Sequence, residues 1–239
     1  MRNTVYFRCI LMINCLLSGC NAKSISIGEA YEVYQSTMNQ LITSPNFTVT
    51  LQQENRFYYD SQEIISNQEM WMKVDAPYIE LEINGFNPSN TFIHLFADKM
   101  YVYIQKEGEN IKLEDENILL NTVLSAMYFD RNTLYDALVS EGNEQDVYRF
   151  EIKDAKVASL LNLDDYDLPI DAYQITQAIF TIEVAQRMLT SASIQLHVDL
   201  NIGEEIASID SITQLNCSDI EHTVIKVPDD LDDYLFLNE

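Results

Sequence analysis

The chain has 239 residues, with 14 Lys and Arg against 38 Asp and Glu, a formal charge of −24 at pH 7. Such a surface repels phosphate backbones, whose binding rests on Lys and Arg neutralising phosphates, and this excludes nucleic acid as a partner. Apolar residues make up 47% of the chain, enough to build a core, while the excess of carboxylates keeps the surface soluble.

The first element is a leader. Arg2 and Arg8 precede an apolar run, Cys9 to Leu17, and no acidic residue occurs before Cys20. A bilayer span needs about 20 apolar residues, and this run is too short for one but suits the core of a signal peptide. Leu17-Ser18-Gly19-Cys20 then resembles the bacterial lipobox. That resemblance implies cleavage between Gly19 and Cys20 and transfer of a diacylglyceryl group to the cysteine thiol. Two acyl chains anchor stably where one holds only marginally. The alternative is an ordinary leader carrying the same four residues by chance. Processing removes two arginines and no carboxylate, so the mature chain is more acidic still, and Cys217 is left without an intrachain partner. Cys217 reads as a small core residue.

Asn21 to Ser24 form a polar leash. Ser26-Ile27-Gly28-Glu29 has capping-box spacing, and Ile27, Ala30, Tyr31, Tyr34, Met38, Leu41 and Ile42 follow at helical intervals. Ser44-Pro45-Asn46 ends this helix. Beyond Pro45 the period changes to alternation, with Phe47, Val49 and Leu51 against Thr48, Thr50 and Gln52, a half-buried strand. Strand-like runs follow at Phe57–Tyr59, Glu63–Val74, Tyr78–Ile83, Thr91–Phe96 and Tyr101–Gln105, separated by turn residues. Such short connections imply antiparallel hairpins. Residues 116–129 and 131–139 read as two helices, the second ended by Gly142. Val147–Ile152 reads as a strand, and Asp154 as the cap of a third short helix. Asn162–Asp171 is an acidic loop. Tyr173–Ala185, Met188–Asn201 and Glu205–Asn216 read as three long strands joined by short turns. The tail from Pro228 to Glu239 is acidic and adds a terminal segment.

Little in the chain points to catalysis. The glycines are isolated, without the clusters that phosphate-binding loops need. His94, His197 and His222 stand apart from one another and from any cysteine, and they read as structural rather than metal-binding. Ser125, Ser140 and Ser159 lack a nucleophile-elbow context. The runs Asp164, Asp165, Asp167 and Asp229, Asp230, Asp232, Asp233 read as solvated loops, because a Ca²⁺ site needs six to eight oxygens on a shaped turn. No cofactor, metal or catalytic residue is assigned. Apolar bulk remains. Met70, Met72, Phe92, Phe96, Tyr101, Tyr103 and Met127 are candidate ligand-binding residues, since Met and aromatics line adaptable pockets. The same residue types serve an ordinary core equally well.

The order of elements, from lipidated cysteine and leash to one amphipathic helix, a long meander, a helical insertion and final long strands, resembles the LolA-like lipoprotein group. That group includes the mycobacterial LprG/LppX-type lipoproteins. The resemblance implies an α+β fold in which a large curved antiparallel sheet, an unclosed half-barrel, packs on an N-terminal helix and a helical insertion. It also implies an apolar cavity for acyl chains. The expected organisation is a signal peptide over 1–19, a lipidated cysteine and tether over 20–25, one sheet-and-helix domain over 26–228 with a helical insertion at about 115–163, and an acidic tail over 229–239. The expected function is non-enzymatic binding of a lipid or other hydrophobic ligand at the outer face of a bacterial membrane. The alternative is an envelope protein that recognises or regulates another protein and takes no small ligand.

Overall fold

The computed structural model describes residues 22–59, 62–86, 91–98, 100–106, 109–114, 124, 127–161, 173–202 and 205–236. The expected leader and lipobox, the expected acidic loop with its Asp164, Asp165 and Asp167, and most of the helix expected over 116–129 lie outside the described residues. A two-residue strand, β1 (Lys23–Ser24), precedes helix α1 (Ile27–Thr43). The meander follows as β2 (Asn46–Tyr59), β3 (Gln62–Asp75), β4 (Tyr78–Phe86), β5 (Thr91–Ala97), β6 (Tyr101–Lys106) and β7 (Glu109–Glu114). Next come β8 (Leu134–Ser140), β9 (Asp146–Ile152) and helix α2 (Asp154–Leu160). The long strands β10 (Tyr173–Ala185), β11 (Met188–Ile202) and β12 (Glu205–Ser218) lead to a final short strand, β13 (Leu235–Phe236).

Among the described residues these thirteen strands form one unclosed sheet in the order β1-β8-β9-β10-β11-β12-β2-β3-β4-β5-β6-β7-β13. Every pairing is antiparallel except β13 on β7. The join that makes one sheet of two wings is β12 beside β2, from Ser208 opposite Tyr58 to Ser218 opposite Thr48. Thirteen strands about 4.8 Å apart would span more than about 50 Å if flat. Buried residues from β8 to β6 nevertheless belong to one core cluster with α1, so the sheet curls around its contents. The turns fit their residues locally. At Gly85 φ is +89°, and a Cβ there would stand 2.3 Å from the Asn67 carbonyl oxygen of β3, so only glycine fits this position, where the register of β4 against β5 shifts.

Helix α1 begins as its sequence dictates. Ser26 caps it, its Oγ accepting from the Glu29 N–H at 3.2 Å and donating to Glu29 Oε2 at 2.7 Å. Ala30, Tyr34, Thr37, Met38 and Leu41 are buried against the sheet, which α1 meets at β8 and β11.

The expected helix over 131–139 is a strand. One 3-10 turn, Arg131–Thr133, leads directly into β8. Leu134 and Leu138 are four apart, which mimics a helix, but Leu138 is exposed while Ala137 and Val139 are buried. The register shifts between Leu134 and Ala137 opposite β9, so a bulge inserts a helix-like spacing into an alternating pattern. Gly142 accordingly sits in the β8–β9 turn rather than at a helix end. The described part of the expected insertion is thus largely sheet. The preceding segment is helical at Leu124, but Met127 lies in a turn and Tyr128 and Phe129 are not helical. The two expected strands at 47–51 and 57–59 are one, β2.

One buried hydroxyl holds α1 to this segment. The Tyr34 O–H donates to the Met127 carbonyl at 2.8 Å and accepts from the Phe129 N–H at 3.0 Å. Its ring stands edge-on to Phe180 at 5.3 Å, and Phe180 stacks in turn near Phe129 and Phe150. Desolvation raises the Tyr34 pKa well above the usual phenol range, so it stays a neutral donor. Replacing Tyr34 with Phe keeps the ring but orphans both backbone groups, and an unsatisfied buried group costs about 1–3 kcal/mol. Urea denaturation should show Tyr34→Phe destabilised by about that amount, with an unchanged m-value.

Candidate ligand-binding faces

Period-two alternation gives each strand an inner and an outer side chain. On the inner side of β8–β12, Val139, Phe150, Phe180, Ile182, Ala192, Ile194, Leu196, Val198 and Leu215 are buried under α1 and its neighbours. The inner side of β3–β6 is different. Met72, Leu81 and Ile83 are buried, but Met70, Ile79, Ile93, Leu95 and Ile104 are only half-buried. The register places Met70 opposite Ile83, Ile83 opposite Ile93, and Leu95 opposite Ile104, a continuous apolar surface across four strands.

The sheet divides the seven residues nominated from sequence. Met70 and Met72 belong to the inner side of β3, and buried Met127 joins the same core. Phe92, Phe96, Tyr101 and Tyr103 point the other way, because they alternate with the inner residues Ile93, Leu95, Val102 and Ile104. Phe92 is 48% exposed, near the far end of the sheet. Phe96, Tyr101 and Tyr103 instead form a second, outer cluster with Tyr78, Ile225, Leu231 and Tyr234. Strand alternation was legible in the sequence, but the phase relating one strand to the next was not.

That outer cluster is roofed by the C-terminal segment. After β12 the chain crosses back over β2 and β3, where the Thr48 and Thr223 hydroxyls share a buried 3.0 Å hydrogen bond and the Ile225 N–H donates to Asp75 Oδ2 at 3.0 Å. Tyr234 packs edge-on against Tyr103 at 5.5 Å, and Leu235 and Phe236 then pair with Ile111 and Lys112. The tail therefore straps the outer face, and its apolar residues do so while Asp229, Asp230, Asp232 and Asp233 remain exposed.

The remaining sites are polar. A cleft of about 820 Å³ lies between α1 and the β8–β9 and β10–β11 turns, with Glu29, Glu32, Glu144, Asp146 and Arg187 among its walls. A second, of about 750 Å³, runs across β12, β2, β3 and β4 and is lined largely by Gln, Asn and Glu. Cys217, partly buried, has its thiol pushed up to about 12 by desolvation, which keeps it protonated and inert. On the outer face His94 Nε2 lies 3.1 Å from Glu80 Oε1.

His197, also on the outer face, is gripped from both sides: Nδ1 meets Asp210 on β12, and Nε2 lies 3.4 Å from Asp199. The hydrogen bond to Asp210 is the main cause that raises its pKa above 6.5; desolvation opposes it, and the charges of Asp210 and Asp199 add to the rise.

No protein-family profile matches the chain, and neither does any curated protein. Among solved structures it is similar to the Mycobacterium tuberculosis lipoprotein LppX at 10% identity and TM-score 0.46, covering 83% of this chain and 98% of that one. A DUF1329 family protein from Desulfovibrio piger matches at 10% identity and TM-score 0.28, over 85% and 95% of the two chains. A LolA superfamily protein from Nitrosomonas europaea matches at 13% and 0.25, over 84% and 96%.

The two carboxylates around His197 set a pH dependence of known sign. A pKa raised by folding stabilises the protein fully below the unfolded value near 6.5, and that contribution fades as pH rises through the folded value. The stability gap between the wild type and His197→Gln should therefore be widest below pH 6.5 and narrow above it, as read by urea midpoints across that range.

Proposed function

We propose that this chain is an extracytoplasmic, membrane-tethered lipoprotein that binds a lipid or other hydrophobic ligand and catalyses no reaction. The observation that carries the reading is the half-buried apolar surface of Met70, Ile93, Leu95 and Ile104 on the inner side of β3–β6. In a folded chain with this excess of carboxylates, an apolar surface facing inward and left incompletely covered is suited to acyl chains. Met70 and Met72, on the inner side of β3, add adaptable sulfur side chains beside it.

The tether is argued from the lipobox and from β1. Lys23 pairs opposite Val139 and Ser24 opposite Leu138, and the Lys23 ammonium meets Glu141. The described chain therefore begins beside the β8–β9 turn. Cys20 is three residues away, about 10 Å of extended chain, which sets that end of the sheet toward the bilayer. Among the described residues no helix is long and apolar enough to cross a membrane; in this reading attachment rests on the acyl chains of Cys20.

Two measurements test the two halves separately. Cys20→Ala should move the chain from the membrane to the soluble fraction of expressing cells; a variant still held by the membrane ends the tether reading. Native mass spectrometry of the chain released from membranes should show co-purifying lipid. In Ile104→Ala affinity for that lipid should fall about tenfold, since each buried CH₂ is worth about 0.8 kcal/mol. No bound or exchangeable lipid would turn the reading to the alternative, a lipoprotein that meets a protein partner.

A further inference from the structure

A second site lies on the outer side of the same strands and is independent of what the inner side holds. Glu80 and Glu82 are two apart on β4, so both point outward, and the register sets Glu82 directly opposite His94 on β5. One ligand atom from each of Glu80, Glu82 and His94 lies within 4.8 Å of the others, and all three side chains are half-buried. We propose that Glu80, Glu82 and His94 bind a divalent transition-metal ion of borderline hardness, the class to which Zn²⁺ belongs.

The geometry suits such an ion. Zn²⁺ binds imidazole nitrogen and carboxylate oxygen at about 2.0–2.2 Å, so two donors on one tetrahedral ion stand about 3.3–3.6 Å apart. His94 Nε2 and Glu80 Oε1 are 3.1 Å apart, so an ion replacing the shared proton needs them to part by only a few tenths of an ångström, about the adjustment a side-chain torsion allows. The Glu82 carboxylate closes the remaining gap by a change of rotamer. Two carboxylates and a neutral imidazole cancel the charge of a divalent ion, and they leave an open position for water. Lys73 supports the site from β3. Its Nζ lies 3.5 Å from Glu80 Oε2, the oxygen turned away from His94, and 4.1 Å over the Trp71 ring. One oxygen of Glu80 thus stays held by the ammonium while the other is free to ligate, as outer partners orient metal ligands elsewhere. The imidazole separates this site from a mere acidic patch: hard ions such as Mg²⁺ prefer oxygen and water, whereas borderline ions take imidazole.

The full chain, purified without a histidine tag, should bind Zn²⁺ at one site by isothermal titration calorimetry. The affinity should fall about tenfold or more in His94→Gln and in Glu82→Gln, since even outer-shell partners are worth about that much. His197→Gln removes the other carboxylate-flanked imidazole and should leave Zn²⁺ binding unchanged. With only His94, His197 and His222 in the chain, ring resonances are assignable by nuclear magnetic resonance. Zn²⁺ should shift the His94 ring nitrogens, and an equal concentration of Mg²⁺ should not. Zn²⁺ binding that leaves the His94 ring unmoved, that survives His94→Gln, or that disappears in His197→Gln overturns the proposal. The ring shifts are read on the wild type, so a variant that fails to fold does not shield the proposal from refutation.

Discussion

Among the described residues one long helix, α1, of 17 residues and about 25 Å, and the short α2 serve a sheet of thirteen strands. Helix α1 is too small to cover both wings, and the rest of the structure follows from that mismatch. The sheet curls so that α1 and its neighbours seal the inner side of β8–β12, where the large side chains are fully buried. Tyr34 fixes the helix in that position through its paired hydrogen bonds to Met127 and Phe129. The inner side of β3–β6 keeps an apolar surface that is only half covered. The unevenness of the burial, and not any single residue, is what distinguishes a candidate binding face from the core beside it.

The second consequence is on the outside. A long sheet with free edges invites pairing with other chains. Here the two ends of the described chain occupy the two edges: Lys23–Ser24 on β8 and Leu235–Phe236 on β7. The C-terminal segment does more, since it also roofs Phe96 and Tyr103, aromatics that would otherwise form an exposed patch. Its carboxylates stay in water while Ile225, Leu231 and Tyr234 turn inward. The strap therefore packs on the β3–β6 wing from the opposite side.

How much of this was legible in the sequence varies with the range of the interaction. The cap at Ser26, the alternation of β2 and the three long strands β10–β12 are local signals, and each appears where its pattern places it. β8 was misread because a bulge between Leu134 and Ala137 gave a strand the spacing of a helix. The strap was hidden for a different reason: an acidic composition suggests a solvated tail, and its three apolar contacts are with residues more than a hundred positions away. The seven residues nominated for ligand contact fall on two faces. Which face Phe96 or Met72 takes depends on how neighbouring strands register, and one strand's periodicity does not contain that.

The same alternation explains why two different chemistries can occupy one pair of strands. Along β4 the outward Glu80 and Glu82 interleave with the inward Leu81 and Ile83, and along β5 the outward His94 sits between Ile93 and Leu95. No side chain is shared, so each face can be altered by substitution without removing a contact from the other. The backbone is shared, however, and it is not free to move: Gly85 lies against the Asn67 carbonyl at a spacing that a Cβ would forbid, and the outer cluster clamps the opposite end of β4 and β5 beneath the strap. A ligand that spread the inner faces of these strands would have to bend a ladder fixed at both ends. An apolar ligand is therefore better accommodated by side-chain rearrangement of Met70 and Met72 than by strand movement, which is the property that unbranched thioether side chains bring to an otherwise stiff sheet.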